Sequence, residues 1–178
     1  MTRDPSPEGP RPPERRILPS GFAGDTGAAS AAVAAALASY AQDATRYPGA
    51  LAAVQASRLL VPVVALLGEV EYDGQGLAHD KTSDMAAVLL RGADGRLALL
   101  AFTSTATLAA WDPEARPVPV TAQVAAQSAL QDDAAALVVD LAGPVTFVVE
   151  GDDLQGLARG WQLAQVGGRS TWIRPGER

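Results

Sequence analysis

The residues best suited to chemistry lie in one short segment, His79-Asp80-Lys81-Thr82-Ser83-Asp84, which holds the only histidine and the only lysine of the chain. Four chemistries suggest themselves there. Asp73, His79, Asp80 and Asp84 together would suit magnesium or calcium, which take oxygen ligands. The Asp-x-Asp-x-Asp-Gly spacing is absent, however, and one histidine without cysteine builds no thiolate or multi-histidine site. A Ser–His–Asp triad would use His79 as base with Ser83 or Ser104 as nucleophile. Neither serine stands in the Gly-x-Ser-x-Gly elbow that exposes a hydrolase nucleophile. Paired carboxylates could be Asp80 with Asp84 or Glu114, but acidic residues are plentiful enough for such pairs to arise by chance. Finally, Lys81-Thr82 has the ending of a phosphate-binding loop without its glycines, and Gly74-x-Gly76 leads into loop rather than helix.

With no catalytic, cofactor or metal residue assigned, a polar surface remains. Lys81 can pair with Asp80 or Asp84 directly before an apolar strand. A salt bridge there is worth only ~0–1 kcal/mol when exposed. The functional alternative is a polar rim for a protein partner or a small ligand. Trp111-Asp112, ahead of Pro113, is a second candidate, with Trp111 as either a core anchor or a contact hot spot. The expected binding surface is therefore His79, Asp80, Lys81, Asp84, Trp111 and Asp112.

The rest of the composition narrows the classes. The chain has 178 residues and a net charge of −6. That charge repels phosphate backbones and anionic lipid, so neither nucleic acid nor membrane is an expected partner. The cluster Arg11, Arg15, Arg16 sits in a proline-rich tail. The absence of cysteine rules out disulfides, iron–sulfur clusters and a thiol nucleophile. No apolar stretch near the N-terminus resembles a signal peptide, and a cytoplasmic location is expected. Alanine richness with a single lysine suggests a GC-rich, actinobacterial source.

These candidates must be positioned by elements that the pattern predicts. Residues 1–20 are proline-rich and read as a disordered tail, 21–166 as one domain, and 167–178 as a C-terminal tail that Trp172 and Ile173 pin to the core. Ala28–Tyr40 is an alanine-rich helix capped by Asp25 or Thr26. Ala50–Ser57 is a second helix, following Pro48-Gly49. Leu59–Leu66 is a buried strand, with Pro62 marking an edge or a bulge. Glu69–Lys81 is a long loop. Met85–Leu90 and Leu97–Phe102 form a hairpin around Gly92–Gly95. Thr103-Ser104 cap a helix over Thr105–Trp111, Pro117–Thr121 is an edge strand, and Val124–Gln131 is helical. Leu137–Asp140 and Val145–Val149 are strands, and Leu154–Leu163 is the last helix, capped by Asp152 or Asp153. A hairpin followed by a helical crossover predicts an α/β (α+β) fold, a mixed sheet of about five or six strands with helices packed on it.

Several of these stretches are similar to the N-terminal domain of the SseB family. They are Arg58-Leu59-Leu60-Val61-Pro62-Val63, Asp80-Lys81-Thr82-Ser83-Asp84-Met85-Ala86, Asp94-Gly95-Arg96 and Ala101-Phe102-Thr103-Ser104. Trp111-Asp112, Ala115–Val120 and Asp140-Leu141-Ala142-Gly143-Pro144 follow in order. Leu18–Asp25 resembles the lead-in of actinobacterial members. The resemblance implies an α/β fold with a mixed sheet, a cytoplasmic location and no defined reaction, and it carries over no catalytic residue. The functional expectation is a non-enzymatic protein-interaction module without cofactors. The alternative is a small-molecule-binding sensor domain, and a hydrolase or metal-dependent enzyme ranks below both. Partner, ligand and oligomeric state are not specified by the sequence.

Overall fold

In the computed structural model, which describes residues 22, 24–67, 71–72, 78–79, 83–166, 169–174 and 176, the first helix starts at Ser30 rather than at Asp25 or Thr26. The Ser30 hydroxyl accepts from the Val33 N–H at 3.3 Å, as an N-cap should. Asp25 is engaged elsewhere, with Arg58. Residues 1–20 lie outside the described residues.

The elements run α1 (Ala31–Gln42), a 3₁₀ turn (Ala44–Arg46), α2 (Tyr47–Gln55), β1 (Arg58–Leu67), β2 (Glu71–Tyr72), β3 (Ala78–His79), β4 (Ser83–Ala87), β5 (Leu89–Arg91) and β6 (Leu97–Ala101). Then come α3 (Thr105–Trp111), β7 (Arg116–Thr121), α4 (Ala122–Gln131), β8 (Ala136–Val139), β9 (Phe147–Glu150), α5 (Gly151–Ala158), β10 (Gln162–Val166) and β11 (Arg169–Ile173). The mixed α/β expectation holds. Strands β6 and β8 are parallel, joined through α3, β7 and α4, while the other ladders are antiparallel.

Seven of the strands form two linked sheets, ordered β4-β1-β7 and β5-β6-β8-β9, beside the separate pairs β2-β3 and β10-β11, and Pro62 explains where the two larger sheets divide. Extending the β1/β4 register puts Pro62 opposite Val88. The Val88 N–H donates to the Pro62 carbonyl at 3.0 Å, but Pro62 has no N–H to return. The Val88 carbonyl instead accepts from Leu100 N at 3.3 Å, and the chain passes from β4 into β5. The single strand expected over Met85–Leu90 is thus two. Pro62 marks this break inside a central strand, not a sheet edge. The prolines of β7 do lie on an edge strand.

Other boundaries move for local reasons. Pro48 and Gly49 belong to the first turn of α2, where a proline costs no hydrogen bond. The expected loop 69–81 contains the short β2/β3 ladder, Glu71 opposite His79. The last helix begins at Gly151 without a side-chain cap, carries Asp152 and Asp153 in its first turn and stops at Ala158. Gly160, with φ +67°, closes it. The Trp161 N–H reaches the Gly156 carbonyl and the Gly160 N–H the Leu157 carbonyl, both at 3.0 Å, which is a Schellman ending. Residues 162–166 then pair with 169–173 as a hairpin, so the stretch read as a tail is partly strand.

The main core lies between one sheet face and α1, α2, α4 and α5. Leu59, Leu99, Leu137 and Phe147 meet Val33, Leu51, Val54 and Leu154 there, all essentially inaccessible. Full burial of such side chains contributes ~1.5–3 kcal/mol each. Helix α4 buries Ala122, Ala125, Ala126 and Ala129, so its backbone lies close to the sheet. Phe147 stacks on Tyr47 at 5.1 Å and meets the Tyr40 ring edge-on at 5.2 Å.

Candidate interaction surface

Two features stand out on the side of the sheet away from that core. The first is a polar node at Thr103. The Leu60–Phe102 bridge sets Arg58 beside Thr103. One guanidinium nitrogen of Arg58 donates to the Thr103 carbonyl at 2.9 Å; the other donates to Asp25 Oδ1 at 2.6 Å and to the Ala28 carbonyl at 3.1 Å. The Arg58 hydrogen bond, together with the Gly27 N–H, holds the Asp25 carboxyl below the usual carboxylate range. From the other side, buried Asp140 accepts from the Thr103 N–H at 2.8 Å and from its hydroxyl at 2.6 Å.

The same node fastens the lead-in segment before α1. Thr105 N donates to the Gly27 carbonyl at 2.8 Å. Gly27 has φ +78°, and a Cβ there would stand 2.7 Å from the Thr105 methyl, so only glycine fits. Ser104 caps α3 in a capping box with Thr107, as its hydroxyl predicts. Thr103, the other expected cap, is spent on Asp140. A cleft of about 410 Å³ lies over the node, lined by Phe22, Asp25, Thr26, Ser57, Arg58 and Thr103. The Arg58 donors that face this cleft are already bonded within the chain.

The second feature is an apolar face. Leu60, Leu100, Phe102, Leu108 and Val138 form a small cluster under α3. Trp111 stacks on Phe102, with centroids 5.5 Å apart and planes at 30°. It is half-buried, an anchor of this lesser cluster. The cluster runs outward along a register row, Leu100 opposite Val138 opposite Val148. Leu90, opposite Ala98, lies on the same face. Helix α3 does not cover the ends of this face. Val148 and Leu90 are each 39% exposed, and Val64, at 49%, is exposed on β1.

The two ends of the sheet system treat their free backbone groups differently. Leu60 turns its N–H and carbonyl to Phe102, so its partner across the ladder, Pro119, directs its nitrogen away from β1. Pro117, two residues back, does the same. Two of the three outward positions of β7 therefore lack a donor, a known guard against edge pairing; the third is Thr121, at the strand end where α4 begins. Strand β9 is the opposite edge. It contains no proline, so its outward positions keep their backbone donors, and only its last residue, Glu150, continues into α5 as the N-cap.

The residues singled out from sequence are distributed as follows. Trp111 and Asp112 end α3, where Asp112 caps the helix and its carboxylate accepts from Glu114 N at 2.9 Å. His79 is on β3 opposite Glu71, and Asp84 is on β4 opposite Leu66. Asp73, Asp80 and Lys81 lie outside the described residues. No group of three or more metal-ligating side chains occurs among the described residues. No described helix is long and apolar enough to cross a membrane. Sequence reasoning passed over Asp25, Arg58, Thr103 and Asp140 as a site. A signal was available, because all four belong to the segments that carry the family resemblance.

Comparison with known proteins agrees with that resemblance. The family model for the SseB protein N-terminal domain matches residues 33–156. No curated protein and no solved structure matches the chain.

Proposed function

From the premise that this chain belongs to the SseB protein N-terminal domain family, we propose that it is a non-catalytic protein-interaction module that takes an extended partner segment along β9. The observation that carries this reading is the contrast between edges. Pro117 and Pro119 remove two of the three outward donors of β7, whereas β9 contains no proline. An added strand gains affinity from main-chain hydrogen bonds and specificity from alternate side chains. On β9 those side chains would meet Val148 and, beyond it, the row Val138–Leu100. The partner segment is accordingly an extended, β-branched stretch with apolar residues at every second position. On this reading the interaction surface moves from the polar residues around Asp84 to the sheet edge. Trp111, at the end of α3, supports the face by stacking on Phe102.

A photocrosslinking residue at Val148 tests this in the cytosol of the source organism, with the same residue at Val124 on α4 as control. Val124 is comparably exposed, at 43%. The expected result is a discrete adduct from position 148 only, competed away by unlabelled chain but not by the Val148→Lys variant. Equal adducts from both positions, or competition by the lysine variant, would overturn the reading.

A further inference from the structure

The C-terminal part of the chain has a charge character opposite to the whole. From Leu154 to Gly176 there are three arginines and no acidic residue, in a protein of net charge −6. Two of these arginines converge on one ring. The Arg159 guanidinium lies 5.0 Å from the Trp161 ring centroid, and that of Arg174 lies 5.3 Å from it. Local geometry brings them together. The Schellman ending of α5 places Arg159 and Trp161 on either side of Gly160. The β10/β11 register, Gln162 opposite Ile173, extends to Trp161 opposite Arg174.

A basic side chain at the end of α5 is accounted for by the helix dipole. That explains Arg159 but not Arg174, which arrives from another strand. Neither arginine forms an ion pair among the described residues, where Arg46, Arg58 and Arg96 each do. A guanidinium placed over an aromatic face gains a cation–π contact without using up its N–H donors, which can still take a carboxylate fork. Beside the ring is a cleft of about 420 Å³ lined by Gln55, Thr121, Gln123, Gly160, Trp161 and Gln162. Its walls are fixed. Gln55 donates to the Trp161 carbonyl, and Gln123 donates to the Ala158 carbonyl at 3.4 Å.

We propose that Arg159, Trp161 and Arg174 form a recognition site for an acidic peptide segment of a partner protein, with the carboxylates on the two guanidiniums and the peptide in the glutamine-lined cleft. This goes beyond strand addition at β9 and is independent of it. The test is an NMR titration of the full ¹⁵N-labelled chain with hexaglutamate, following the indole N–H resonances. The Trp161 resonance should move saturably while Trp111, on the other side of the sheet, stays still. Both arginines are exposed, so R159Q/R174Q should keep the fold, with an unchanged Trp111 resonance, and weaken binding by about tenfold or more, as expected when charge-assisted bidentate contacts are lost. R159K/R174K should recover part of the affinity, because the charge stays and the fork is lost. A Trp161 resonance that does not saturate, or a shift that survives R159Q/R174Q, overturns the proposal. Inorganic phosphate that displaces hexaglutamate at equal concentration overturns the peptide assignment.

Discussion

Thr103 gives both its backbone N–H and its hydroxyl to the buried carboxylate of Asp140, at 2.8 and 2.6 Å. Asp140 itself has φ +55°, a left-handed conformation that aspartate and asparagine tolerate better than other non-glycine residues. The pair ties the end of β6 to the end of β8 where those parallel strands part, and so fixes the start of α3 and the place of Trp111.

Asp140→Ala should cost about 3 kcal/mol, because it strands two buried donors and leaves alanine in a left-handed conformation. Asp140→Asn keeps the tolerated backbone and one acceptor, and should cost about 1 kcal/mol. Urea unfolding of the two variants checks this ordering; equal losses would mean that the hydrogen bonds to Thr103 carry little of the effect.

Acidification should loosen the lead-in segment. The hydrogen bond from Arg58 holds the Asp25 carboxyl below its ordinary value. A depressed folded-state pKa contributes stability that is fully present above the unfolded value, about pH 4. That contribution is lost as pH falls through the folded value. In Arg58→Met the fall in stability from about pH 5 to about pH 3 should be shallower, while Asp43 and Asp94, shifted in the same direction, keep a residual slope. Denaturant titrations at stepped pH measure it.

Restoring the missing donors of β7 should make the chain self-associate. In P117T/P119T the outward N–H groups become available, and the strand turns into a template for edge pairing. Sedimentation velocity should show concentration-dependent association beyond that of the parent chain. A variant that associates no more than the parent chain would show that these prolines do not guard the edge.

Gly156 should tolerate no side chain. A Cβ there would run into the Trp172 ring, whose indole N–H donates to Asp153 at 2.8 Å. Gly156→Ala should cost about 1–3 kcal/mol by overpacking and free the β10–β11 hairpin from α5. Loss of the Trp172 near-ultraviolet dichroism, with the rest of the fold kept, is the expected signature.

Much of the fold is legible in the chain alone because its signals are local. Val63-Val64 and Val138-Val139 favour strands, Ser104 ahead of Thr105–Trp111 starts a helix, and Asp94-Gly95 turns a hairpin. Cysteine content and net charge likewise constrain the available chemistry without any coordinates. What only the tertiary structure decided is pairing across distance. That Pro62 would break a central strand depends on which residue stands opposite it. That Asp25, Arg58, Thr103 and Asp140 meet depends on ladders joining segments far apart in sequence. That Arg159 and Arg174 share one tryptophan depends on a hairpin register. Hydrophobic periodicity says which face of an element is buried, but not against what, because burial is non-directional while hydrogen-bond register is specific.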